Sequence, residues 1–214
     1  VIGLFGGSFD PVHQGHVATA GELRSRFGFE EIRFLPAARS PLKAGVTANE
    51  HRLAMLRLAL ADKEGLTVDE DELHQPPPSY TIDTLRRVRS EIGPEQPLVF
   101  ILGLDSFLEL PRWKDWQALT DVAHLLVVSR PGSPPHFSPE LAAWLAPRRT
   151  DAPGDLARNP HGQVLLAATA PHAIASRTIR AAIRAGQDTS NWLNPAVRDY
   201  IDRHHLYHGE ANPQ

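Results

Sequence analysis

The chain has 214 residues, 42% hydrophobic and 22% charged, with a formal net charge of -3. Such a length supports one well-buried domain, and such a charge excludes a general basic field for gripping nucleic acid, so an anionic ligand must be held locally. No cysteine is present, which excludes disulfides, thiolate metal sites and a cysteine nucleophile.

No apolar run reaches the ~20 residues needed to span a bilayer, and the N-terminal stretch lacks the pattern of a signal peptide, so the chain reads as cytoplasmic with no membrane partner. In chain order, VIGLF (1 to 5), EIRFLP (31 to 36), LTVDE (66 to 70), PLVFILG (97 to 103), HLLVVS (124 to 129) and VLLAA (164 to 168) have the apolar, β-branched character of strands. Helical spacing fills most of the intervals: HVATAGELRSRFG, ANEHRLAMLRLALAD and TIDTLRRVRSEIG, the last closed by Gly93. Alternation of this kind predicts an α/β fold, a Rossmann-like doubly wound parallel sheet with helices on both faces. Two further helical stretches, SRTIRAAIRAG and NPAVRDYIDRHHLY, form a C-terminal helical segment, with Asn194-Pro195 as cap and first turn of the second. We expect a single domain over residues 1 to 207, a surface excursion with one short helix over 131 to 162, and a disordered tail over 208 to 214. Neither a heptad seam nor an exposed apolar stripe specifies an oligomeric state.

GGSFDPVHQGH, residues 6 to 16, follows the first strand. Gly6 and Gly7 permit a close turn there, and His16 falls near the start of a helix, where backbone amides and the helix dipole favour an anion. His13 can reach the same point, so the stretch reads as a phosphate site. It carries neither G-x-x-x-x-G-K-[ST] nor G-x-G-x-x-G, which sets aside a P-loop and the dinucleotide fingerprint. A metal site using His13, His16 and Asp10, and a purely structural turn with capping histidines, are the alternatives.

This stretch resembles the G-x-F-D-P-x-H-x-G-H signature of the nucleotidyltransferase superfamily. With PPSYTIDTL (77 to 85), ILGLDSFLELPRW (101 to 113), HLLVVSRPG (124 to 132) and IASRTIR (174 to 180) in order, the chain is similar to bacterial nicotinate mononucleotide adenylyltransferases. The resemblance implies transfer of the adenylyl group of ATP to nicotinate mononucleotide, releasing pyrophosphate, in NAD biosynthesis. It implies His13, His16 and Arg180 as catalytic residues. ATP would be met by Gly6, Gly7, Ser8, Phe9, His16, Gly103, Asp105, Arg130, Ser176 and Arg180, and nicotinate mononucleotide by Lys43, Tyr80, Thr81 and Trp113. Ser176 reads as a helix cap one turn before Arg180, Asp83 as ordering the start of its helix, and Trp116 as a core residue. The chain departs from the family pattern at Leu42, Ala175 and Arg177. Magnesium is the implied cofactor, carried by ATP phosphates and water with no protein ligand assigned. The same reaction on nicotinamide mononucleotide, and a non-catalytic nucleotide-binding module of the same fold, are the competing readings.

Overall fold

The computed structural model describes residues 1 to 38, 47 to 75, 78 to 129, 136 to 170 and 174 to 208. Strand β1 (Ile2–Gly7) leads into α1 (Gln14–Phe27), β2 (Glu31–Pro36), α2 (Asn49–Leu60), β3 (Leu66–Val68), α3 (Asp71–His74) and α4 (Thr81–Ile92). A second half follows with β4 (Leu98–Gly103), α5 (Leu104–Leu108), two 3-10 turns (Leu110–Arg112 and Trp116–Asp121) and β5 (His124–Ser129). Then come α6 (Pro139–Leu145), β6 (Arg149–Thr150), α7 (Asp155–Arg158), β7 (Val164–Ala168), α8 (Ser176–Arg184) and α9 (Pro195–Arg203). The strands pair in parallel in the order β3-β2-β1-β4-β5-β7-β6. The order reverses direction between β1 and β4, and in such sheets the crevice at that reversal, outside the carboxyl ends of the strands, receives ligands.

Alternation along each strand divides the core in two. Phe5, Val99, Ile101, Leu126 and Leu165 pack on one face with Leu23 of α1, Met55 of α2, Ile183 of α8 and Val197 of α9. Leu4, Phe100, Leu102, Leu125 and Val127 pack on the other with Leu85 of α4, Phe107 of α5 and Trp144 of α6. Because both faces are covered, the strands read as near-continuous apolar runs, and six of the seven were visible as such.

The segment after β5 departs from the expectation of one short helix. Its described part carries α6, α7 and the edge strand β6, with Arg149 and Thr150 opposite Val164 and Leu165, and it buries Leu141, Trp144, Leu145 and Leu156. A two-residue strand is too short to show a period. Residues 209 to 214 of the expected tail and 131 to 135 of the excursion lie outside the described residues. No described helix is long and apolar enough to cross a membrane.

Candidate active site

Aromatic rings pack behind the first loop. A Cβ on Gly6 would lie 2.7 Å from the Phe100 ring, and one on Gly7 would lie 2.9 Å from Phe9. A side chain at either position would therefore collide with an aromatic ring, and both glycines line the crevice. Phe9, at a φ of 48°, is 2% exposed and packs on Phe5 and Phe34. Its ring also meets the edge of His16 at 5.1 Å, so its side chain supports the imidazole from within the core.

His13 is the N-cap of α1 and His16 its third helical residue. The two rings stack at 3.7 Å. The His13 backbone N–H donates to His16 Nδ1 at 3.3 Å, which leaves the proton of a neutral His16 on Nε2, the nitrogen that can donate outward. Burial, and after it the charge of His13, hold the His16 pKa well below the usual imidazole value. At neutral pH His16 is thus an uncharged, oriented donor.

The C-terminal motif, more than 160 positions along the chain, closes on this loop. Ser176 Oγ donates to the Pro11 carbonyl at 3.0 Å, and Arg180 Nη1 donates to the Asp10 carbonyl at 2.6 Å. Ser176 was expected to cap its helix, but Ala175 is the N-cap and Ser176 the first helical residue; its hydroxyl is used by the Pro11 carbonyl instead. The α8 ladder opens with Thr178 and Ile179 donating to the Ala175 carbonyl, so the amides of Ser176 and Arg177 precede it and face outward from the helix end. Arg177 is exposed.

The crevice beside the loop is a cavity of ≈ 400 Å³ whose lining includes Gly6, Gly7 and Ser8 of the loop together with Tyr80, Thr81, Asp105 and Trp113. Tyr80 is the N-cap of α4, whose ladder begins with Asp83 and Thr84 donating to the Tyr80 carbonyl, leaving the amides of Thr81 and Ile82 ahead of it. Trp113 ends a 3-10 turn and meets Phe100 edge to face at 6.4 Å. Trp116 is buried against Trp144, with ring centroids 5.0 Å apart. Gly103 is the N-cap of α5 and exposed, with nothing within 4 Å of where a Cβ would stand. Asp83 reaches beyond its own helix to Lys114 Nζ at 2.9 Å. His13, His16, Ser176 and Arg180 are not among the cavity's lining residues; the histidines follow the loop into the start of α1, and Ser176 and Arg180 reach the loop from α8. Lys43 and Arg130, like Leu42, fall outside the described residues.

Several residues here carried no motif. Glu72 of α3 is 8% exposed, lines the cavity and accepts from Ser79 Oγ (2.7 Å), Thr84 Oγ1 (3.2 Å) and the Ala38 N–H (3.3 Å). Arg52 is wholly buried and donates to the carbonyls of Ser8 (2.8 Å), Thr47 (3.0 Å) and Ala38 (3.2 Å). Its position in the apolar stripe of α2 beside Met55, Leu56 and Ala59 is a readable sign of a buried charge, because a solvated arginine would sit on the other face. Asp10, itself 4% exposed, accepts from Tyr207 and from the Thr47 N–H, an arrangement that does not support its use with His13 and His16 as a metal ligand.

A family model described as cytidylyltransferase-like matches residues 4–182. The chain is 44% identical over 210 residues to the "Probable nicotinate-nucleotide adenylyltransferase" of Aeromonas salmonicida, covering 98% of each chain. It is 45% identical over 213 residues to the protein of the same name from Laribacter hongkongensis, covering 98% of this chain and 96% of that one. Among solved structures, Plasmodium falciparum nicotinic acid mononucleotide adenylyltransferase complexed with NaAD superposes with a TM-score of 0.73 at 18% identity, covering 96% of both chains, a likeness of fold.

Proposed function

Since the chain belongs to the cytidylyltransferase-like family and, within it, to the nicotinate-nucleotide adenylyltransferases, we infer that it transfers the adenylyl group of ATP to nicotinate mononucleotide, giving nicotinate adenine dinucleotide and pyrophosphate. The observation that carries this reading to individual residues is the closure of α8 on the first loop, with Arg180 Nη1 2.6 Å from the Asp10 carbonyl. That contact supports a single anionic track running from His13 and His16 to Ser176 and Arg180.

The reaction is an in-line attack by the phosphate of the mononucleotide on the α-phosphorus of ATP. Negative charge accumulates, and no covalent enzyme intermediate is needed, so the work is positioning and charge stabilisation. In this reading His16 donates from Nε2 to an α-phosphate oxygen, with His13 stacked beside it. Arg180 and the first amides of α8 receive the β and γ phosphates, the part that leaves as pyrophosphate. Gly6, Gly7, Ser8 and Phe9 contribute backbone at the turn, and Gly103 and Asp105 stand at the end of β4 where a carboxylate can hold ribose hydroxyls. Arg130 and Lys43 remain assigned from the resemblance, to the nucleotide and to the mononucleotide phosphate. On the pyridine side, Trp113 offers an aromatic face to a cationic ring, while the Thr81 amide, beside Tyr80, offers a helix end to the nicotinate carboxylate. That helix end favours the acid over the amide, because a carboxylate gains more from unpaired amides than a carboxamide does.

The cofactor in this reading is Mg²⁺, carried by the triphosphate oxygens and water with no protein ligand assigned. Such an ion neutralises phosphate charge as the nucleotide binds. We assign the reaction to the cytoplasm as part of the same reading. Pure protein given ATP, Mg²⁺ and nicotinate mononucleotide should release pyrophosphate, with kcat/KM higher for the acid than for nicotinamide mononucleotide. Folded protein without turnover would overturn the assignment, and a preference for the amide would overturn the pyridine-side argument.

A further inference from the structure

Past α9 the chain does not trail away. His205 and Tyr207 both take left-handed backbone conformations, with φ of 49° and 66°, an uncommon state for residues with bulky side chains. The resulting turn brings the Tyr207 ring against the core face shared with α1 and α2, and its phenol donates to Asp10 Oδ1 at 2.6 Å. Asp10 lies in the middle of the first loop. Its other carboxylate oxygen accepts from the Thr47 N–H at 3.3 Å and stands 3.9 Å from Arg180 Nη1. Its own carbonyl is the acceptor for Arg180, and the preceding Ser8 carbonyl is the acceptor for Arg52. A phenol, two guanidiniums and a backbone amide therefore converge on two loop residues, Ser8 and Asp10, and the phenol is the one contributed by the segment after α9.

We propose that Tyr207 is a positioning residue for adenylyl transfer: by donating to Asp10 it fixes the loop that carries His13 and His16 and aligns that loop with Arg180. The role rests on the function inferred above. It acts through Asp10, and the phenol touches no substrate. Burial and the neighbouring Asp10 carboxylate raise the Tyr207 pKa, so the hydroxyl keeps its proton and remains a donor across the working pH range. The neighbouring phenol of Tyr200, 3.0 Å from His51 Nδ1, belongs to the same C-terminal segment but contacts no part of the first loop among the hydrogen bonds described.

Tyr207→Phe keeps the ring and deletes only the donor. We expect its kcat to fall about 10- to 100-fold, the scale of a small misplacement of catalytic groups, with KM for nicotinate mononucleotide within about twofold of the original and the thermal midpoint largely kept. Tyr200→Phe should keep its kcat. In the ligand-free protein, NMR of the imidazole ring protons should show His13 and His16 displaced by Tyr207→Phe and unmoved by Tyr200→Phe. An unchanged kcat in Tyr207→Phe, or equal losses in the two variants, would overturn the proposal. If the unsubstituted protein itself shows no turnover, the inferred function fails, while the imidazole signals still decide whether Tyr207 sets the loop.

Discussion

His16 must be neutral to act as both acceptor and donor, and its surroundings supply that state. Nδ1 is engaged by the His13 N–H, and burial depresses the pKa, so protonation would add a hydrogen where an acceptor is required. Activity should therefore hold as pH falls through the ordinary imidazole value of about 6.5 and decline only below it; a kcat profile with its acid limb centred at or above 6.5 would contradict this. Replacing the ring has a larger consequence. His16→Ala removes the donor we assign to the charge that develops during transfer, and kcat should drop by about 10²- to 10³-fold, equivalent to ~2.7–4 kcal/mol. KM for nicotinate mononucleotide should change little, because the pyridine side is assigned to other elements. Pyrophosphate release under saturating substrates reads both quantities. At this scale the sequence marked His13, His16 and Arg180 by residue type, and the fold brings Arg180 to the loop that leads to the two histidines. It was silent on Glu72, one acid within the run Asp69, Glu70, Asp71, Glu72, because nothing in a string of four carboxylates marks the one that turns inward.

That inward turn matters for how elements are held. Through Ser79, Thr84 and Ala38, Glu72 joins α3 to the entry of α4 and to the chain leaving β2, so one carboxylate fixes the helix end proposed to meet nicotinate. Glu72→Ala would strand these donors, and the loss of hydrogen bonds to a charged acceptor is expected to cost ~1.5–3 kcal/mol of stability. It should also raise KM for nicotinate mononucleotide more than KM for ATP, since the ATP phosphates are assigned to α1 and α8. Glu72→Gln, which keeps one acceptor oxygen, should fall between. Thermal melts with separate KM values for the two substrates test this, and equal effects on both would refute the division of labour. Elements longer than about two turns were legible: α1, α2, α4, α8 and α9 follow apolar spacing, with Asn194 accepting from the Ala196 N–H at 2.8 Å as an expected cap and Gly93 closing α4 at a φ of 86°. The four-residue helices α3 and α7 and the two-residue β6 were not, since tertiary packing of Glu72, Leu156 and Thr150 decides them and no local period does.

Across the whole molecule, the second half of the sheet depends on a buried histidine remote from the crevice. His124 opens β5, is wholly buried, and uses both ring nitrogens: Nε2 is 2.7 Å from the Asn159 carbonyl, and Nδ1 accepts the Gln163 N–H at 3.0 Å. It thus binds β5 to the connection that enters β7, and only the neutral Nε2–H tautomer satisfies both contacts. Burial lowers its pKa, the nearby His161 adding to the effect. Above the unfolded value of about 6.5 neither state is protonated and the contribution is complete. As pH falls below that value the unfolded chain takes up the proton first, so stability declines until the folded pKa is reached, by up to ~1.4 kcal/mol per pH unit for one such group. His16, also depressed, adds to the slope. Denaturant melts between pH 7.5 and 5 should therefore show progressive acid destabilisation, shallower in His124→Gln because one titrating group is gone, although that variant begins less stable at pH 7.5. Parallel slopes for the two proteins would mean that His124 does not gate acid stability and that the acid response arises elsewhere in the fold.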